Sequence, residues 1–324
     1  MDILDIHGKV VDVDSFIIRA TEVSQYLNCP RNWFVQSHNG LNLEPPLKPQ
    51  KLRFGTIWHL AMEYLYSGKD PFQGVEDGIR HELDLIHELL AVDPDVHQGI
   101  EEDKLLLYSM LKSYMEWRNS EADPTDDMFK VYSVEERFVV PFNNANPYYL
   151  VAKLDAILED RSGGLWVLEH KTRSKGSSVT VAPDLQLDMQ TGLQLLVCKH
   201  AFPDKTVKGV IYNLARKQAL TSRVRSPVFG RHEIFRSKSE LDILESFLNM
   251  LAADMKRDAA RDKTDMHCLR YNPNTFGICT WGCSVKDVCE AMIRGEDVDY
   301  LIETGLRPRS KTIFEVLEED MTKE

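Results

Sequence analysis

The stretch YYLVAKLDAILEDRSGGLWVLEHK, Tyr148 to Lys171, holds two strand-like segments joined by a glycine turn. Successive side chains of a strand point to opposite faces. Leu150, Ala152, Leu154, Ala156 and Leu158 therefore form one apolar face, and Val151, Lys153, Asp155, Ile157 and Glu159 the other. The second segment is apolar from Leu165 to Leu168 and ends in Glu169, His170 and Lys171, with Glu169 and Lys171 on one face and His170 on the opposite one. A loop of Arg161 to Gly163, or of Asp160 to Gly164, gives a hairpin whose paired positions sum to 324, which sets Asp155 opposite Glu169. Both loops put Gly163 where a positive φ is needed. Asp155, Glu169 and Lys171 then share one patch. Two carboxylates there make a hard oxygen site for Mg²⁺ or Mn²⁺. The lysine can orient an attacking water and stabilise charge on a phosphate. Ordinary surface ion pairs would use the same three residue types, so the remainder of the chain decides.

Upstream of this hairpin the periodicity is helical. Thr21 reads as an N-cap for EVSQYLNC, which pauses at Pro30 and resumes as RNWFVQS. Residues 54–68 read as an apolar helix closed by Gly68, followed by amphipathic helices over about 75–92 and 99–120. Strands are expected over 130–142, 148–160 and 165–171, a helix over 185–201, a strand over 208–216 and a helix over about 238–257. The expected fold class is α/β: a central mixed β-sheet flanked by helices. It divides into an N-terminal helical region (1–125), a core (126–260) and a Cys-rich segment with a charged tail (261–324), integrated as one domain. The tail, 307–324, is expected to be partly disordered.

The 324 residues are 43% hydrophobic and 28% charged, which suits a globular chain. No apolar run approaches the ~20 residues of a membrane span, and the acidic N-terminus does not resemble a signal peptide, so a cytoplasmic location and no membrane partner are expected. The net charge of −12 weakens any reading of non-specific nucleic-acid binding through bulk charge. It leaves room for a local basic groove.

Two further patterns carry chemistry. In GTIWHLAME, His59 and Glu63 lie on one face of a mostly apolar helix, and Gly55 permits close approach. Of the six cysteines, Cys279, Cys283 and Cys289 form a C-x₃-C-x₅-C set. Three thiolates need a fourth ligand for tetrahedral zinc or a cubane cluster. Cys29 is the natural candidate, with Cys268 and His267 as competitors. Cys198 lies on an apolar helix face and reads as core.

Taken in order, these features resemble the PD-(D/E)XK nuclease superfamily, in its RecB-like exonuclease branch. They are similar in particular to the iron–sulfur members: AddB-type nuclease domains, CRISPR-associated exonucleases and phage relatives. The matching residues are Cys29 in CPR, Gly55 and His59 in G-x-x-x-H, Asp155, Glu169-His170-Lys171, and the closing cysteine triplet, spanning about residues 20–292. The resemblance implies a restriction-endonuclease-like core and a DNA exonuclease of recombination, repair or phage DNA processing. His59, Asp155, Glu169 and the backbone carbonyl of His170 would bind Mg²⁺ or Mn²⁺, with Lys171 catalytic. Cys29, Cys279, Cys283 and Cys289 would hold a [4Fe–4S] cluster, with Zn²⁺ as the alternative. DNA is the implied partner, alongside a helicase, an annealing protein or another recombination protein, in a bacterial or phage-infected cytoplasm. The family's Q-x-x-x-Y motif keeps Gln190 but has Gln194 in place of Tyr, and Ala152 replaces the Gly usual before the metal-binding Asp. Arg173, Lys175, Gln190, Arg216 and Lys217 are the candidate DNA contacts. Trp33, Phe34, Trp58 and Tyr64 are candidate stacking residues. A non-catalytic DNA-binding or scaffolding protein with the same fold is the alternative, but it would not need His59, Asp155, Glu169 and Lys171 together.

Overall fold

The computed structural model describes residues 3–12, 14–45, 50–88, 94–143, 147–180, 185–219, 228–261, 279, 283–309 and 313–321. The chain forms two compact units, each assembled from separate segments. One comprises Leu47–Glu136 and Lys153–Ser237, and the other Met1–Pro46, Arg137–Ala152 and Lys238–Glu324.

The first of these units carries the hairpin. Strand β4 (Tyr148–Asp160) pairs antiparallel with β5 (Leu165–Arg173) through Ala156↔Leu168, Ile157↔Val167, Leu158↔Trp166 and Glu159↔Leu165. Every pair sums to 324, the register expected from the turn. Gly163 adopts φ +80°. Strand β5 then runs parallel to β6 (Val207–Arg216), with Glu169↔Tyr212 and Lys171↔Leu214 in register. The connection between them holds helix α6 (Met189–Ala201), as a parallel crossover requires. Asp188 caps α6 by accepting from the Thr191 amide (3.2 Å). The helix was expected from 185, but residues 185–187 form a 3₁₀ turn ahead of that cap. Strand β7 (Phe229–Ile234) closes this part of the sheet antiparallel to β6. The sheet is therefore mixed.

Helices α3 (Gln50–Tyr66), α4 (Pro71–Glu88) and α5 (Pro94–Ser120) flank it. Phe54, Ile57, Trp58, Ala61 and Met62 of α3 join Leu107, Met110, Leu111 and Tyr114 of α5 in one buried cluster with Ala156, Leu158, Leu168 and Ile211 of the sheet. The apolar face read from β4 thus packs against helices. Each such side chain contributes about 1.5–3 kcal/mol when fully buried. Gly74 of α4 lets that helix close on α3, because a Cβ there would lie 2.9 Å from the Leu60 carbonyl oxygen.

In the other unit, β1 (Ile17–Arg19) runs parallel to the start of β4, Ile17↔Tyr149 through Arg19↔Val151. Helices α1 (Ala20–Asn28) and α2 (Pro30–Gln36) flank Cys29, whose extended backbone (φ −163°) makes the expected break at Pro30. The cap expected at Thr21 is not used. The helix begins at Ala20 after Arg19, whose side chain makes no cap bond. Helix α7 (Lys238–Ala259) joins α1 through a hydrogen bond from Tyr26 Oη to Asp258 (2.6 Å). Helices α8 (Lys286–Arg294), α9 (Asp299–Gly305) and α10 (Ile313–Met321) follow.

Helix α10 corrects the expectation for the tail. Ile313 and Leu317, four apart and so on one face, are 3% and 4% exposed in a cluster with Ile3, Val11, Ile17, Val139 and Val151. The charges around them mask an apolar stripe that orders the segment. Among the described residues, no helix is long and apolar enough to cross a membrane.

Candidate active site

Helix α3 and strand β5 bring His59 and Lys171 to the lining of one cleft of about 840 Å³, together with Lys217, and each of the two contacts a predicted carboxylate, Asp155 and Glu169. His59 Nδ1 lies 3.2 Å from Asp155 Oδ1. The other Asp155 oxygen accepts the backbone N–H of His170 (2.8 Å). A strand residue's N–H and C=O point to the same side, so the His170 carbonyl is directed toward β4 as well. Lys171 Nζ lies 2.6 Å from Glu169 Oε1.

Burial alone would push the Asp155 carboxyl up, but His59 and the His170 amide hold it down at about 2. His59 is opposed by burial and raised by Asp155. Burial and the neighbouring Asp155 charge push Glu169 up, while Lys171 pulls it back. The Lys171 ammonium is disfavoured by burial and raised by Glu169.

Glu169 is 2% exposed and held on both oxygens. Gln190 Nε2 donates to Oε1 (2.6 Å) and Gln194 Nε2 donates to Oε2. Gln194, which stands where the family motif has Tyr, therefore grips the candidate catalytic carboxylate. Gln190 does the same through its own side-chain amide.

His170 faces the opposite side of β5, as alternation predicts. Its ring Nδ1 lies 2.9 Å from the Asn213 side-chain nitrogen, which also donates to Tyr114 Oη (2.6 Å). Burial depresses the ring to about 3, so it is neutral at physiological pH. Below it, Tyr66 Oη donates to Asp126 (2.9 Å), which Arg231 pairs at 2.5 Å.

Sequence reading missed Glu135 and Lys153 as site residues. Both line the cleft and form an ion pair. His59, Glu135 and Asp155 each bring one ligand atom within 4.8 Å of the others. Burial raises the Glu135 carboxyl to about 7 against the pull of Lys153. Glu135 sits in β3 (Phe129–Phe142) with φ +54°, which interrupts the alternation that sequence reading relies on. The Gly55 expectation is also adjusted: a Cβ there would meet Thr172 Oγ1 at 3.7 Å, an ordinary contact.

A family model of the PD-(D/E)XK nuclease superfamily matches residues 19–290. The chain belongs to this superfamily. The match covers the hairpin, the His59 helix and the cysteine triplet. No curated protein matches the chain by sequence. Among solved structures, the protein SSO0001 is similar with a TM-score of 0.35 and 17% identity, over 88% of this chain and 90% of that one. A protein from Eubacterium rectale named as a candidate exonuclease is similar with a TM-score of 0.40 and 10% identity, over 82% of this chain and 93% of that one.

For a nuclease of this superfamily the donor chemistry fits a divalent ion. An imidazole and two carboxylates converge in a cleft, and hard cations of the Mg²⁺ or Mn²⁺ class prefer oxygen ligands.

The predicted DNA contacts divide. Lys175 is exposed and Arg173 half-buried. Lys217 lines the cleft with its ammonium 4.4 Å from the centre of the Phe54 ring. Arg216 is 6% exposed and so is not presented to a ligand at the surface. Trp33, Phe34 and Trp58 are fully buried, and Tyr64 donates its hydroxyl to Asp77 (2.8 Å). The three buried rings are core side chains, not stacking platforms.

The four predicted cluster cysteines all belong to the unit that holds α1, α2 and α8. Burial pushes the Cys283 thiol up to about 11, and Cys279, Cys29 and Cys289 push it the same way, so each of these three lies within electrostatic reach of Cys283. Arg31 Nη1 lies 3.2 Å from Cys289 Sγ. Cys198 is fully buried, the core residue it was expected to be. Cys268 and His267 lie outside the described residues.

Proposed function

We propose that this nuclease-superfamily chain is a metal-dependent DNA exonuclease that hydrolyses phosphodiester bonds. The observation that carries this reading is that His59 and Lys171 line one cleft, each paired with a carboxylate, Asp155 and Glu169. His59, Asp155, Glu169 and the His170 carbonyl are the proposed ligands. A bound Mg²⁺ or Mn²⁺ would polarise the phosphodiester and lower the pKa of a bound water. The chain's own residues do the rest. Asp155 keeps its charge because His59 and the His170 amide stabilise the carboxylate. Gln190 and Gln194 fix the plane of Glu169. Lys171, held charged by Glu169, orients the attacking water and neutralises charge developing on the phosphate. Lys217 at the cleft grips the backbone of the substrate.

Digestion of end-labelled single- and double-stranded DNA, with and without Mn²⁺, tests this reading. Wild type should shorten DNA from an end only when the metal is present. Asp155→Asn, Glu169→Gln and Lys171→Ala should each lower the rate by about a hundredfold or more. Intact metal-dependent digestion in all three variants sinks the assignment, and purely internal cuts would make the protein an endonuclease.

We further propose that Cys29, Cys279, Cys283 and Cys289 hold a [4Fe–4S] cluster that staples their unit. Support comes from the reach of Cys29, Cys279 and Cys289 to Cys283, with Arg31 beside Cys289 to stabilise thiolate charge. Anaerobically purified protein should be brown and absorb in the visible. A colourless protein with one zinc per chain would replace the cluster with zinc. Recombination, repair or phage DNA processing, together with a helicase or annealing protein, is the proposed setting.

A further inference from the structure

We infer that Glu135 is a ligand of the same divalent ion, and that Lys153 is the counter-charge it exchanges for the metal. The inference rests on the active-site reading above and adds to it a residue from a fourth element, β3. Glu135 comes from β3, Asp155 from β4 and His59 from α3, and one atom of each lies within 4.8 Å of the others. Ligands of Mg²⁺ at about 2.1 Å sit about 3 Å apart when adjacent and about 4.2 Å apart when opposite. The three atoms therefore need only a small inward shift to close on an ion.

Glu169 and Glu135 differ in what already holds them. Glu169 accepts from Gln190 and Lys171 on one oxygen and from Gln194 on the other, and it is 2% exposed. Its orientation is set by protein donors. Among the described residues, Glu135 is paired with the ammonium of Lys153, whose side chain is 41% exposed. A pair with one exposed lysine is the easier one to open, because the freed ammonium returns to water at little cost. A divalent ion beside Glu135 would repel Lys153 and satisfy the carboxylate in its place. Lys153 lines the same cleft, so the released ammonium remains where a phosphate would enter. Glu135, Asp155 and Glu169 would then bring three negative charges to the ion, offset in part by the Lys171 ammonium beside Glu169, with His59 as a neutral donor.

Mn²⁺ titration of the full-length protein, followed by calorimetry and by the EPR signal of free Mn²⁺, tests this with no need for activity. The variants are Glu135→Gln, Lys153→Met, their double, and Asp155→Asn, each checked for an unchanged far-UV spectrum and melting temperature. Glu135→Gln should weaken Mn²⁺ binding about tenfold or more. Lys153→Met should tighten it, because the competing ammonium is gone. The double variant should stay weak, which separates a lost ligand from a lost ion pair. Wild-type affinity in Glu135→Gln, or a double variant as tight as Lys153→Met, overturns the inference. If Asp155→Asn loses Mn²⁺ while Glu135→Gln keeps it, this inference alone fails. If Asp155→Asn also binds normally, the metal-site reading beneath it fails as well.

Discussion

Asp160 shows how one side chain sets the geometry of the site. It stands at the end of β4, and its Oδ1 accepts the amides of Ser162 (2.8 Å) and Gly164 (3.1 Å). Its Oδ2 accepts Trp166 Nε1 (3.0 Å) and Lys208 Nζ (2.5 Å). These bonds pin the turn, and the turn fixes the register that brings β4 and β5 together. Burial would push this carboxyl up, but Lys208, Ser162 and Trp166 hold it well below the usual carboxylate range. A carboxyl depressed in the folded state stabilises the fold above its unfolded pKa and loses that contribution as pH falls through the folded value. Asp160→Asn keeps one acceptor and loses the one shared by Trp166 and Lys208. It should cost about 2 kcal/mol at pH 7, since Trp166 then has a buried donor without an acceptor. The gap to wild type should be full above about pH 5 and shrink below about pH 4, as the unfolded wild-type chain takes up a proton that the folded Asp160 still resists. Urea unfolding at pH 7 and pH 3 measures both. An equal gap at the two pH values would mean that shape, not charge, is what Asp160 supplies.

At the scale of elements, what was legible followed from period. The hairpin register came out as read because alternation and a single glycine turn admit one solution, and all four observed pairs obey it. His59 was legible because an apolar helix carrying one histidine directs attention to it. Glu135 was not, because its φ of +54° breaks the alternation of β3 and no sequence pattern announces that. Strand β7 escaped for a related reason: FGRHEI is short and mixes charge into its pattern, and its place is set by pairing with β6. The tail misled in the opposite direction. Its charge suggested disorder, while Ile313 and Leu317 form the stripe that orders α10. Helix α6 also reads differently in three dimensions. Gln190 and Gln194, four apart, lie on one face of it and reach the same carboxylate. The missing family tyrosine therefore leaves a positioning contact where sequence alone suggested a lost DNA contact.

At the scale of the whole molecule, the charge of −12 and a polyanionic substrate must be reconciled. Bulk attraction is absent, so affinity has to come from cations at the cleft and from the metal. Among the described residues, Lys153, Lys171 and Lys217 are the lysines lining it, and Arg216, predicted for the same task, is buried. Each phosphate neutralised on a single strand adds about 0.7 to the slope of log affinity against log salt. Three lysines give a slope of about −2, far shallower than that of proteins that grip DNA along an extended basic face. Lys217→Ala should flatten the slope by about 0.7 and weaken all sequences alike, because a phosphate contact reads no base. Fluorescence anisotropy with a labelled single strand, across a salt series and with Ca²⁺ present to limit cleavage, gives the slope directly. A slope near −6 in wild type would require basic residues beyond this cleft. An unchanged slope in Lys217→Ala would remove that lysine from the path of the DNA and leave its ammonium the simpler task of packing over Phe54.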